Sequence, residues 1–182
     1  QVDEAKIGIS YREPGQLFLN LRDGKFRDVS GQVGQALKVP RVGRGLAVGD
    51  LFNDGALEVV VENLEGQPVI FRPERGPSNH WISLELAGAK DELALNARVR
   101  ITTGDLIQTD EVRSSGSYLS QSDLRLHFGL AAHRRAEKVE IFWPSGATET
   151  LTGLEADRFY CVRERSGVVP CASIRPAPVT PR

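Results

Sequence analysis

Apolar and polar residues alternate along much of this chain, with the period of two that a half-buried β-strand requires. The pattern is clearest between residues 124 and 143. Leu124, Leu126 and Phe128 fall on one face of a first run, and Val139, Ile141 and Trp143 on one face of a second. These faces are expected to meet in one core. Further alternating runs at 80–86, 97–101, 106–112, 147–151 and 158–163 are separated by turn residues. Short strands with turns at about 8–12-residue intervals predict an antiparallel β-sandwich or barrel.

Upstream the runs are shorter. Residues 16–20 and 25–29 flank Arg22-Asp23-Gly24, and an Asp-Gly pair between alternating runs predicts a hairpin because both positions tolerate positive φ. Thr103-Gly104-Asp105 predicts another. Residues 31–44 are Gly-rich and read as a connection. Residues 44–50, 51–55 and 57–61 read as strand, tight acidic loop, strand, and a further strand over 69–72 follows the Gly66-Gln67-Pro68 turn. Ile7-Gly8-Ile9 is a short apolar run near the start. Helix is expected to be scarce, with single turns at 90–95 and 131–136. Two prolines and a glycine over 73–77 mark a boundary. The expected organisation is therefore a β segment over 1–76, a β domain over 77–166 and a Pro-rich tail over 167–182.

Composition narrows the function classes. With 23 basic and 24 acidic side chains and a formal charge of -1, the chain lacks the basic excess of a nucleic-acid binder. No apolar run approaches the roughly 18 residues needed to cross a bilayer as a helix. The chain holds no Met and opens on Gln1, so Gln1 is expected to follow a processing event that has removed any signal peptide, or an artificial cut. Cys161 and Cys171 are the two cysteines. Their proximity suits a disulfide pinning the tail, which would stabilise the fold by roughly 3 kcal/mol and implies an oxidising compartment. The alternative is two free thiols.

Three stretches, Gly116-Ser117-Tyr118-Leu119-Ser120-Gln121, Leu126-His127-Phe128-Gly129-Leu130 and Trp143-Pro144-Ser145-Gly146, resemble the ASPIC/UnbV family. The segment from about 15 to 75 resembles the end of an FG-GAP/VCBS propeller, whose blades read Gly-Asp, acidic loop, Gly, hydrophobic strand. A faint internal echo, Gly15-Gln16-Leu17-Phe18 against Gly66-Gln67-Pro68-Val69-Ile70-Phe71, fits a propeller period of about 50 residues. The resemblance implies an all-β chain: partial propeller-like blades of antiparallel strands, then an antiparallel sandwich or barrel. It also implies a secreted or periplasmic setting, and it carries no agreed activity. A propeller closes with about four to eight blades, and this stretch supplies one or two. Its strands are therefore expected to belong to a longer protein, to pack on the second domain or to meet a partner. A variant that has shed its propeller is the remaining case.

The most chemical motif is the loop 50–58. Calcium loops place oxygen ligands at positions 1, 3 and 5, a carbonyl at 7 and an acid at 9, with Gly at 6. Counted from Asp50, the candidate ligands are Asp50, Asp54, the Ala56 carbonyl and Glu58, with Gly55 at the bend. Position 3 is Phe52, which cannot ligate, so a Ca²⁺ ion would need added waters. The competing reading is an acidic turn held by Asx hydrogen bonds.

A second candidate is a binding surface on the outward strand faces: Arg98, Arg100, Arg125, His127 and Phe142. Arginines beside an aromatic can take a carboxylate, a sugar acid or an acidic protein patch. The competing reading is a solvated Arg/Glu ladder with Glu111 and Glu140. His127, Asp123 and the nearby serines supply Ser/His/Asp residue types, but no Gly-x-Ser-x-Gly elbow accompanies them, and no catalytic residue is assigned. The expectation is a non-enzymatic extracytoplasmic protein–protein interaction module, such as an accessory subunit of an envelope or membrane-associated assembly. The alternative is a calcium-assisted carbohydrate-binding or adhesion module.

Overall fold

The computed structural model describes residues 11–74 and 79–173. Ile7-Gly8-Ile9, most of the boundary at 73–77 and the tail beyond Ser173 lie outside the described residues. The strands are β1 (Phe18–Asn20), β2 (Phe26–Asp28), β3 (Gly43–Gly49), β4 (Glu58–Asn63), β5 (Val69–Phe71), β6 (His80–Ala87), β7 (Arg98–Thr103), β8 (Leu106–Glu111), β9 (Leu126–Ala131), β10 (Arg135–Phe142), β11 (Thr148–Glu155), β12 (Arg158–Arg163) and β13 (Gly167–Val169).

Two four-stranded sheets, ordered β11-β10-β7-β8 and β13-β12-β6-β9, turn their apolar faces toward each other. Val99 and Ile101 of β7 and Val139 and Ile141 of β10 come from one sheet. Ile82 and Leu84 of β6, Leu126, Phe128 and Leu130 of β9 and Val162 of β12 come from the other, and all join one buried cluster. Each such side chain stabilises the fold by about 1.5–3 kcal/mol relative to exposure. Arg98 and Arg100 alternate outward with Val99 and Ile101 inward, as the pleat requires. The all-β sandwich expectation therefore holds, and the sheets do not close into a barrel.

One pairing departs from the antiparallel expectation. β6 and β12 run parallel, from Arg158 opposite Ile82 to Arg163 opposite Ala87. The chain leaves β6, builds the other sheet and β9, and returns late, so no hairpin fixes the direction of β12.

The two expected helical turns are also absent. At 90–95, Asp91 N donates to Gly88 O, and Leu93 makes an isolated bridge with Ala87. At 131–136, Ala131 takes φ +50° and His133 N donates to Leu130 O, because the chain must turn a corner there to pass from one sheet to the other. Single helical turns appear instead at Ser30–Gln32, Gln35–Lys38 and Cys171–Ser173.

β13, inside the stretch read as tail, pairs with β12. The expected disulfide joins Cys161 of β12 to Cys171, with Cα atoms 5.0 Å apart.

The N-terminal part forms a hairpin, β1-β2, and a three-stranded antiparallel sheet, β3-β4-β5. In the hairpin, positive φ falls on Arg22 (+66°) and Gly24 (+81°) and not on Asp23. Asn20 Oδ1 accepts from Arg22 N and Asp23 Oδ1 from Lys25 N, so two Asx bonds shape a longer turn than the Asp-Gly pair alone suggests.

Candidate functional site

β3 has β4 on one side, and its other edge meets the Ser/Gly loop of the sandwich. Leu46 N donates to Ser117 Oγ (3.2 Å) and Val48 N to Ser122 Oγ (3.1 Å), while Asp123 N donates to Val48 O (2.9 Å). Gly45 permits this approach, since a Cβ there would lie 2.3 Å from Ser120 Oγ. Backbone groups that would form an open sheet edge are thus satisfied from within the chain.

The acidic loop leaves β3 and seats on the outer face of β6. That face carries three rings: Trp81 stacks on His127 with centroids 5.5 Å apart and meets Phe159 edge-on at 4.8 Å. Trp81 is buried, yet it stands outside the sandwich's apolar cluster. The loop covers it instead, and Gly55 backs directly onto the indole.

Arg125 fastens the two parts. Its Nε donates to Asp123 Oδ2 (2.7 Å), Nη1 to Asn53 Oδ1 (2.6 Å) and Nη2 to the Asp50 carbonyl (2.9 Å). Its guanidinium also lies 5.1 Å from the Phe159 ring centroid. The hydrogen bond to Asp123 holds the Arg125 guanidinium above its ordinary pKa, against the opposing effect of burial.

Within the loop, Asp50 is buried, and its two oxygens accept from Asp54 N (3.0 Å) and Gly55 N (2.6 Å). Asp54 Oδ1 accepts from Ala56 N (3.0 Å), and Glu58 Oε2 from Leu51 N (3.0 Å). Arg72, just beyond β5, reaches Asp54 Oδ2 at 2.5 Å and Glu58 Oε1 at 3.4 Å. Among the described residues, no group of three or more His, Cys, Asp or Glu is arranged to hold a metal ion. Of the candidate calcium donors, Asp50, Asp54 and Glu58 thus accept from backbone amides, and Arg72 pairs with two of the three.

The proposed binding surface is divided. Arg98, Arg100 and Phe142 sit together on the outer face of the β7-β10 sheet, with guanidinium carbons 5.1 and 5.9 Å from the Phe142 centroid. Arg100 Nε bonds Glu140 (2.9 Å), and Lys138 Nζ lies 2.8 Å from it. Hydrogen bonds from Arg100 first, then Lys138, hold the Glu140 carboxyl at about 2. Arg125 and His127 belong to the β9 side of the other sheet, against the N-terminal loop. None of the five joins the buried core, but the two groups lie on different sheets.

A cleft of about 320 Å³ opens beside Arg125, lined by Val48, Leu57, Asp110, Arg113, Asp123 and His127 among others. Of its charged groups, Arg113 pairs with Asp110 (2.7 Å) and Arg125 with Asp123, while Glu111 also lines it. Ser117 and Ser122 accept from the β3 backbone, and Asp123 accepts from Arg125.

Sequence reasoning missed Trp81, Phe159, Gly55 and Arg72 as parts of this junction. Small residues at Gly45 and Gly49 of β3, facing a loop rich in serine, were the available signal.

Comparison with known proteins bears on the sandwich above all. The chain is 32% identical over 117 residues to cartilage acidic protein 1 of Mus musculus and 31% identical over 117 residues to that of Homo sapiens. Each match covers 62% of this chain, which spans 18% of the relative's length. Residues 88–169, from just after β6 to the end of β13, match the model of the family described as ASPIC and UnbV, a stretch that takes in most of the sandwich.

Proposed function

We propose that this chain is an extracytoplasmic attachment module whose N-terminal sheets receive a partner protein, as an accessory piece of a larger envelope or membrane-associated assembly. One observation carries the reading. Among the described residues, most of the large exposed apolar side chains lie before residue 72, including Phe18, Phe26, Leu46, Phe52, Leu64 and Ile70. The two- and three-stranded sheets that bear them are too small to bury a face of their own, whereas the sandwich owns a complete core. Apolar patches of this kind mark protein-binding surfaces.

The ASPIC/UnbV match and the disulfide support an oxidising, extracytoplasmic setting. Among the described residues no helix is long and apolar enough to cross a membrane. In sequence the segment from about 15 to 75 resembles the end of an FG-GAP/VCBS propeller, and a neighbouring blade is the kind of surface its apolar side chains suit.

Site-specific photo-crosslinking in the source cells tests the proposal. A crosslinker at Phe26 or Ile70 is expected to give a discrete adduct, and one at Ile107 on the sandwich none. Adducts from Ile107 with none from Phe26 and Ile70 contradict it.

A further inference from the structure

We infer that Arg72 stands where a calcium ion would sit, making the acidic loop a metal-free version of a calcium loop with a built-in cation. The spacing of Asp50, Asp54, Ala56 and Glu58 is that of a calcium loop, and Gly55 takes φ +81° at position 6. Such a loop brings carboxylates together, and their mutual repulsion calls for a cation.

Here the cation is a guanidinium. Arg72 Nη2 lies 2.5 Å from Asp54 Oδ2, and Arg72 Nε lies 3.4 Å from Glu58 Oε1. Glu58 is fully buried, and Oε1 has no hydrogen-bond partner among the described residues, so Arg72 is the charged group that faces it. Phe52 completes the exchange. It occupies position 3, where a calcium loop places an oxygen ligand, and its ring centroid lies 4.4 Å from the Arg72 guanidinium carbon. An aromatic face that stabilises a planar cation replaces an oxygen that would bind a spherical one.

The arrangement has a mechanical consequence. Arg72 follows β5, so the ion pairs tie the far strand of the N-terminal sheet to the loop, and the loop is tied through Asn53 and the Asp50 carbonyl to Arg125. The junction between sheet and sandwich is thereby independent of calcium and of chelators. This inference stands apart from the partner reading.

Calorimetric titration of the full chain with CaCl₂, and thermal melts in CaCl₂ and in EDTA, test it. The parent chain is expected to show no saturable heat up to about 1 mM Ca²⁺ and one Tm in both conditions. Arg72→Ala is expected to lower Tm by about 2–8 °C. Should Arg72→Ala not fold, the double variant Phe52→Asp, Arg72→Ala is expected to refold in calcium and not in EDTA. A parent Tm that rises with calcium and falls with EDTA overturns the inference. So does an Arg72→Ala chain as stable as the parent, or a double variant that folds equally well in EDTA.

Discussion

Gly55 lies flat against Trp81: a Cβ built on Gly55 would stand 1.9 Å from Cε2 of the indole, and the residue holds φ +81°. No side chain fits there. The contact joins the acidic loop to a tryptophan on the outer face of the sandwich, and it makes the loop a seated element instead of a free turn.

The first prediction separates that contact from backbone strain. Gly55→Ala is expected to destabilise the chain by about 2–5 kcal/mol, from positive φ and overpacking together. Gly146 has a similar φ of +89° with nothing within 4 Å of a Cβ. Gly146→Ala is expected to cost about 1–2 kcal/mol, from strain alone. Chemical denaturation of both variants checks this, and equal losses would remove the Trp81 contact as a cause.

Arg125 is the next point of attack. Its three donors reach Asp123, Asn53 and a backbone carbonyl, a fork that an ammonium cannot reproduce. Arg125→Lys is expected to lose about 1.5–3 kcal/mol of coupling between loop and sandwich. Limited proteolysis is expected to cut within 43–72 faster while the sandwich fragment persists. Unchanged cutting in that stretch would show that Arg125 is not the fastener.

Glu140 supplies the pH dependence. Hydrogen bonds from Arg100 and Lys138 hold its carboxyl at about 2, against an ordinary value of 4.5. A depressed acid stabilises the fold above its ordinary value, and that contribution is lost as pH falls through its folded value. Glu140→Gln is expected to flatten the stability profile between pH 4.5 and about 2. Side-chain carboxyl NMR of the parent should find a midpoint near 2, and one near 4.5 would contradict the pairing.

The disulfide gives a fourth expectation. Cys161 and Cys171 close a loop with a separation of 10 residues, worth roughly 3 kcal/mol in the chain-entropy account. Reduction, or Cys171→Ser, is expected to lower Tm and to free the amides of β13 for exchange. A Tm indifferent to reductant would show that β13 holds without the bridge.

The strands of the sandwich were legible because each presents one wet face and one dry face. Arg98-Val99-Arg100-Ile101 states its own orientation. Strand order was not legible: alternation says that Arg98 and Arg125 both point outward, but not that they lie on different sheets. The parallel pairing of β6 with β12 is equally hidden, since direction is settled by the path of the chain between them. Nothing in the 80–86 run sets Trp81 apart from an ordinary core aromatic; it is buried, but the cover comes from a loop upstream. The acidic loop was legible as oxygen-rich spacing around Gly55. Its cation was not, because Arg72 reaches it from beyond β5, and no local spacing rule connects the two.

The most direct test of the account is amide exchange at Leu46 and Val48, whose N–H groups are bonded to Ser117 and Ser122 of the sandwich loop. If the N-terminal sheet is seated on the sandwich, both amides exchange slowly in the parent, and both speed up in Arg125→Ala while Ile82 and Val139 stay protected. Fast exchange at Leu46 and Val48 in the parent, beside a protected sandwich, would contradict it.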